Sequence, residues 1–219
     1  MSKSLSVAVF SDVICPWCFV GKRRLERALD QLGLAGTAAI RWLPFELNPD
    51  MPAGGMERAA YRARKFGAER AAALDRDMTG LGLKEGIRFA FERMERTPNT
   101  RPAHCLIAHA SREGRGAAVV EALFTAYFEE ARDIGREDVL AEIGVQAGLG
   151  DAAVRAALRD DHLRASVVDI EQEAGRLGIG GVPFFILNEK WSVSGAQPAE
   201  VWRDVLQQVH DTPAEVHES

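Results

Sequence analysis

β-rich sequence is confined to the two ends of this 219-residue chain, and that distribution limits the fold more than any single residue does. Residues Ser4 to Phe10 alternate around Val7, Val9 and Phe10, the pattern of a strand. After the turn Ser11–Ile14, a helix is expected from about Pro16 to Leu32. Cys18, Leu25, Leu29 and Leu32 mark its apolar side, Lys22, Arg23, Arg24 and Arg27 its solvated side, and Gly33 its stop. Thr37 to Leu43 reads as a second strand ending at Pro44. From Glu57 to Leu177 alanine, arginine and glutamate take over. Helices are expected there at Glu57–Gly80, Arg101–Arg112, Ala117–Ala131, Glu137–Ala147, Asp151–Arg159 (with Asp151 as its N-cap) and Leu163–Leu177. β-character returns at Pro183–Leu187 and Trp191–Val193, which the turn Asn188-Glu189-Lys190 joins as a hairpin. Pro198 opens a last helix carrying Val201, Trp202, Val205, Leu206 and Val209, and the polar tail from Asp211 is expected to fray. The reading is one discontinuous α/β domain, residues 1–56 with 178–219, interrupted by an all-helical subdomain over 57–177.

A hydrophobic content of 47% supports an ordinary core without disulfide staples. The net charge of −5 disfavours a general basic face for nucleic acid. No run of apolar residues is long enough to span a bilayer, and the first residues read as a strand rather than a leader. The expectation is a cytoplasmic protein, as monomer or homodimer. Three cysteines in that compartment argue against a structural framework, so the close pair Cys15–Cys18 calls for redox chemistry, a metal, or chance.

With Pro16 at the first helical position, Cys15 falls at the N-cap, near backbone N–H groups and the positive end of the helix dipole. That favours the thiolate, which is the attacking species, and leaves Cys18 as the buried resolving thiol. Zinc would need ligands from Cys105 with His104 or His109, and no second CxxC exists, so no metal is expected. Cys105 reads as a buried core thiol. His104, near an apolar stretch, reads first as structural, with a place facing the active site as the minority view. Asp12 suits either a proton shuttle to Cys18 or a turn. Phe89, Phe91 and Met94 read as subdomain core. Trp17 would form an apolar platform beside the sulfur or pack on the insertion. Gly180-Gly181-Val182-Pro183 leads into a strand where the thioredoxin fold places a cis-proline opposite its cysteines.

The blocks Ser11-Asp12-Val13-Ile14-Cys15-Pro16-Trp17-Cys18, Gly21–Glu26, Pro44–Asp50, Asn99–His104, Gly181–Phe185 and Ser194–Gln197 together resemble the DsbA-like FrnE family of the thioredoxin superfamily. The resemblance covers nearly the whole chain. It implies a thioredoxin-like fold with a large all-helical insertion between the βαβ and ββα halves. It also implies thiol–disulfide exchange on protein or small-molecule substrates, with Cys15 attacking, Cys18 resolving, and Pro16, Trp17, Val182 and Pro183 meeting the substrate. The same branch holds kappa-class glutathione transferases and 2-hydroxychromene-2-carboxylate isomerases, which typically carry Ser at the position of Cys15. By that analogy Gly195, Ala196 and Gln197 are candidate glutathione contacts, and glutathione a redox co-substrate, with no bound cofactor expected. A glutathione-dependent isomerase or transferase is the alternative.

Overall fold

A computed structural model describes residues 5–211, with no side-chain description for 210 and 211. The expected strand start at Ser4 and the tail beyond Asp211 lie outside them. Strand β1 (Ser6–Ser11) leads to helix α1 (Pro16–Gln31) and strand β2 (Ala39–Pro44), a parallel βαβ unit with Val9 opposite Trp42. Pro16 occupies the first turn of α1, where its missing N–H costs nothing. Gly33, at φ +68, closes the helix in a conformation that a side chain would resist.

At the other end of the chain, β5 (Phe184–Leu187) and β6 (Trp191–Ser194) form the expected hairpin, and α9 (Ala199–Asp211) follows. Asn188 and Glu189 turn it with φ of 48 and 59, and the Asn188 carboxamide oxygen accepts from Ser6 N at 2.9 Å, tying the turn to β1. The sheet order is β2-β1-β5-β6, with β5 antiparallel to β1. The two ends of the sequence therefore meet in one sheet, with β2 and β6 as its edge strands.

Between them lie β3 (Met56–Glu57), α2 (Arg58–Phe66), α3 (Ala68–Lys84), β4 (Arg96–Thr97), α4 (Arg101–Arg112), α5 (Gly116–Phe124), α6 (Glu137–Gln146), α7 (Asp151–Leu158) and α8 (Asp161–Arg176). This is an α/β thioredoxin-like fold carrying a helical insertion. Four details correct the sequence reading. The single helix expected over Glu57–Gly80 is two, because Gly67 takes φ +81 and breaks it. A small ladder, β3 with β4, appears where none was expected. The segment after α5 widens into a π-turn over Thr125–Glu129. Gly150, not Asp151, caps α7, and Asp151 is its first residue.

The insertion packs on the base through one continuous core. Phe19 of α1 stacks on Phe124 at 4.9 Å and meets Phe89 edge-on at 6.2 Å, and Phe89 meets Phe128 edge-on at 5.2 Å. Phe89, Phe91 and Met94 are buried as expected. The basic side of α1 is solvated only at Arg27. Lys22 is buried and reaches Glu26 and Glu121, each at 2.5 Å, while Arg24 and Arg27 clasp Glu85 at 2.6 and 2.9 Å. Burial demands partners for these cations, and the insertion supplies them. Along the edge strand β2, helices α4, α5 and α8 lie alongside.

Candidate active site

Everything the cysteine pair needs is set by the junction of β1 and α1. Cys15 sits at the N-cap with extended backbone (φ −91, ψ 111), and Cys18 begins the buried side of the helix. The two cysteines lie 3.6 Å apart, both reduced. The turn before them is held by Asp12, whose carbonyl accepts from Cys15 N at 3.0 Å. Its fully buried carboxylate accepts from Leu47 N at 2.7 Å and Ile14 N at 3.3 Å, joining this turn to the segment after β2. Asp12 thus does turn work. Facing its Oδ1 at 3.6 Å is Nε2 of His104, carried in from α4 and buried, beyond hydrogen-bonding reach. The sequence offered His104 only as a minority site residue, because no local pattern reveals which helix face will meet a turn so distant in sequence.

The thiols occupy unlike surroundings. Cys18 is 1% exposed, and burial together with the adjacent Cys15 sulfur pushes its thiol well above the usual range. The Ser11 side chain and the Asp12 backbone pull back against that rise. Cys15 is 5% exposed, and its Sγ lies 3.7 Å from the Val182 carbonyl oxygen. Trp17, between the cysteines, is 47% exposed.

The Val182–Pro183 peptide bond is cis, and it leads into β5 beside α1. Gly21 makes that approach fit: a Cβ there would fall 2.9 Å from Pro183 Cγ and 3.3 Å from Phe185 Cζ. Pro183 O accepts from Gly195 N at 2.8 Å, so the 182–183 and 195–197 loops are fastened together. Gln197 N donates to Gly195 O at 3.0 Å, and Ala196 O accepts from Arg24 at 2.7 Å. Of the three proposed glutathione contacts, Gly195 and Gln197 thus already spend their backbone N–H groups within the protein.

Cys105 is fully buried against Ala157, Leu163 and Val167, apart from the cluster that holds Cys15 and Cys18. Among the described residues, no group of His, Cys, Asp and Glu is arranged to hold a metal.

A thioredoxin-like sheet, two thiols at the head of its first helix and a proline loop against them define the class: a thioredoxin-superfamily protein of the oxidoreductase kind. The DsbA-like thioredoxin domain model matches residues 6–207, and the chain belongs to that family. A probable DsbA oxidoreductase from Streptomyces coelicolor is 32% identical, with a TM-score of 0.88 over 97% of this chain and 93% of that one. A 2-hydroxychromene-2-carboxylate isomerase shares the fold at 16% identity, with a TM-score of 0.72 over 93% of this chain and 95% of its own. The cytosolic disulfide reductase DsbM of Pseudomonas aeruginosa, solved with GSH, does so at 22% identity, with a TM-score of 0.62 over 93% and 98%. No helix among the described residues is long and apolar enough to cross a membrane.

Proposed function

We propose that the chain is a dithiol oxidoreductase of the cytoplasm that exchanges disulfides with protein or small-molecule thiols through Cys15 and Cys18. The observation that carries this reading is the approach of the two cysteines to 3.6 Å at the helix head. Cys15 thiolate attacks one sulfur of a substrate disulfide and expels the other as thiolate, which takes up a proton. Cys18 then loses its proton and attacks Cys15 Sγ, releasing the second substrate sulfur and closing the Cys15–Cys18 disulfide. Oxidation of substrate thiols runs these steps in reverse. Pro16 and exposed Trp17 form the apolar floor for the substrate, and the Val182–Pro183 backbone aligns it over Cys15.

Glutathione serves in this reading as a redox co-substrate rather than a bound cofactor. The committed N–H groups of Gly195 and Gln197 weigh against a preformed glutathione grip and so against the isomerase or transferase alternative. Purified protein equilibrated in glutathione buffers and read by alkylation of Cys15 and Cys18 should show one reversible two-electron transition. Cys15→Ser and Cys18→Ser should each abolish it. A glutathione adduct on Cys15 with no intramolecular disulfide would sink the dithiol mechanism.

A further inference from the structure

Buried hydroxyls without a partner are rare in native interiors, and each is costly. Ser11 carries one: the residue is 6% exposed, and its Oγ is closed off from solvent and makes no hydrogen bond. It is the last residue of β1, and the strand's period of two puts it on the same face as Val7 and Val9. Those valines share their core cluster with Cys18, Leu25 and Leu29 of α1, whereas Phe10, on the opposite face, belongs to a separate cluster. Ser11 therefore faces the buried side of α1, and the group its side chain acts on there is the Cys18 sulfur. Asp12 reaches the same sulfur through its backbone N–H, while its carboxylate is committed to Leu47 N and Ile14 N.

A thiol and a thiolate treat these donors differently. Neutral sulfur accepts hydrogen bonds weakly, so the Ser11 hydroxyl gains little from the pair in its reduced form. A thiolate carries a full charge, and a hydrogen bond to a charged group is about twice as strong as one between neutral groups. Cys18 is too deeply buried for water to supply such bonds, and burial opposes its ionisation. Donors already in place and unspent meet that need, because nothing has to reorganise when the charge appears.

We propose that Ser11 Oγ and Asp12 N–H form a cradle for the Cys18 thiolate, filled only while the mixed disulfide is being resolved. The proposal rests on the dithiol reading and names the groups that make its second step possible. In that step the Cys18 thiolate bonds to Cys15 Sγ and expels the substrate sulfur, on which the proton lost by Cys18 ends by way of solvent. Ser11 keeps its own proton and lends only a hydrogen bond.

One equivalent of the aromatic disulfide dithionitrobenzoate, mixed with reduced protein in a stopped-flow instrument, separates the two steps by colour. The first nitrothiobenzoate leaves as Cys15 attacks and the second as Cys18 resolves. Ser11→Ala should slow the second release relative to the first by roughly threefold to tenfold at neutral pH. Loss of a hydrogen bond to a charged group lowers the thiolate fraction, and the greater nucleophilicity of a more basic thiolate returns part of the rate. For the same reason the pH profile of the second release should move up by about half a unit to one unit. Ser11→Thr, which keeps the hydroxyl, should restore both. Because Oγ is unpartnered in the reduced protein, Ser11→Ala should not lower the urea midpoint of that form, as loss of a merely structural hydroxyl would. A second release with unaltered rate and pH profile in Ser11→Ala, yet lost in Cys18→Ser, would overturn the cradle and leave the dithiol reading standing. Equal slowing of both releases would overturn it too, as an effect of packing. No second release from the unaltered protein would overturn the cradle and the dithiol reading together.

Discussion

Cys15 and Cys18 are three residues apart at the head of α1, and both are buried. Burial and the neighbouring Cys15 sulfur hold the Cys18 proton well beyond the usual thiol range, which suits the resolving role proposed for it. A third thiol, buried apart from the pair, obeys the same rule. Burial raises Cys105 from an ordinary 9.0 to about 11, so the folded state holds that proton after the unfolded chain has lost it. The associated stability is intact below pH 9.0 and is lost as pH rises towards about 11. In reduced protein, Cys105→Ala should therefore flatten the alkaline side of the stability curve by about 2 kcal/mol, checked by urea unfolding across that range. Gly21 is a second sensitive residue. Gly21→Ala drives a methyl group into Pro183 and should cost about 1–3 kcal/mol by overpacking. It should also slow thiol exchange by displacing the loop over Cys15. Unchanged stopped-flow exchange rates would mean that the loop yields freely.

Among the elements, α8 offers the cleanest local test. Asp160 caps it, accepting from His162 N at 2.8 Å and Leu163 N at 3.2 Å, so Asp160→Ala should cost about 1 kcal/mol in thermal or chemical unfolding. Asp160→Asn should restore most of that. How far such elements could be read from sequence depended on where their determinants lie. Helix α4 has its expected bounds, Arg101–Arg112, and the terminal hairpin and Gly33 stop were equally visible, because local patterns specify them. The cysteine pair at the N-cap was legible for the same reason. Gly67 was harder: a lone glycine in a helical pattern is usually tolerated, and only its observed φ of +81 makes it a break. The basic side of α1 was misread because Glu85 and Glu121 approach it from the insertion, and no pattern within α1 shows them. His104 could be offered only as a minority site residue for that reason too.

At the scale of the molecule, base and insertion share one interior, with Phe19 as its hinge point between α1 and the aromatic rings of the insertion. They should unfold together. Far-UV circular dichroism and tryptophan fluorescence should give coincident transitions, and Phe19→Ala should shift both by about 3–5 kcal/mol. Two separated transitions would show instead that the insertion is an independent folding unit. The position of β2 at the sheet edge carries a further consequence. Its outward backbone is a template for any passing chain, and its sequence, Ala39–Pro44 with Ile40, Trp42 and Leu43, is apolar enough to attract one. Helices α4, α5 and α8 stand in the way. A minimal protein made by joining residue 56 to residue 178 would keep both cysteines and the proline loop, yet present that edge bare. Such a miniature should precipitate as β-rich aggregates, so the inserted helices also serve as a built-in chaperone for the strand they shield.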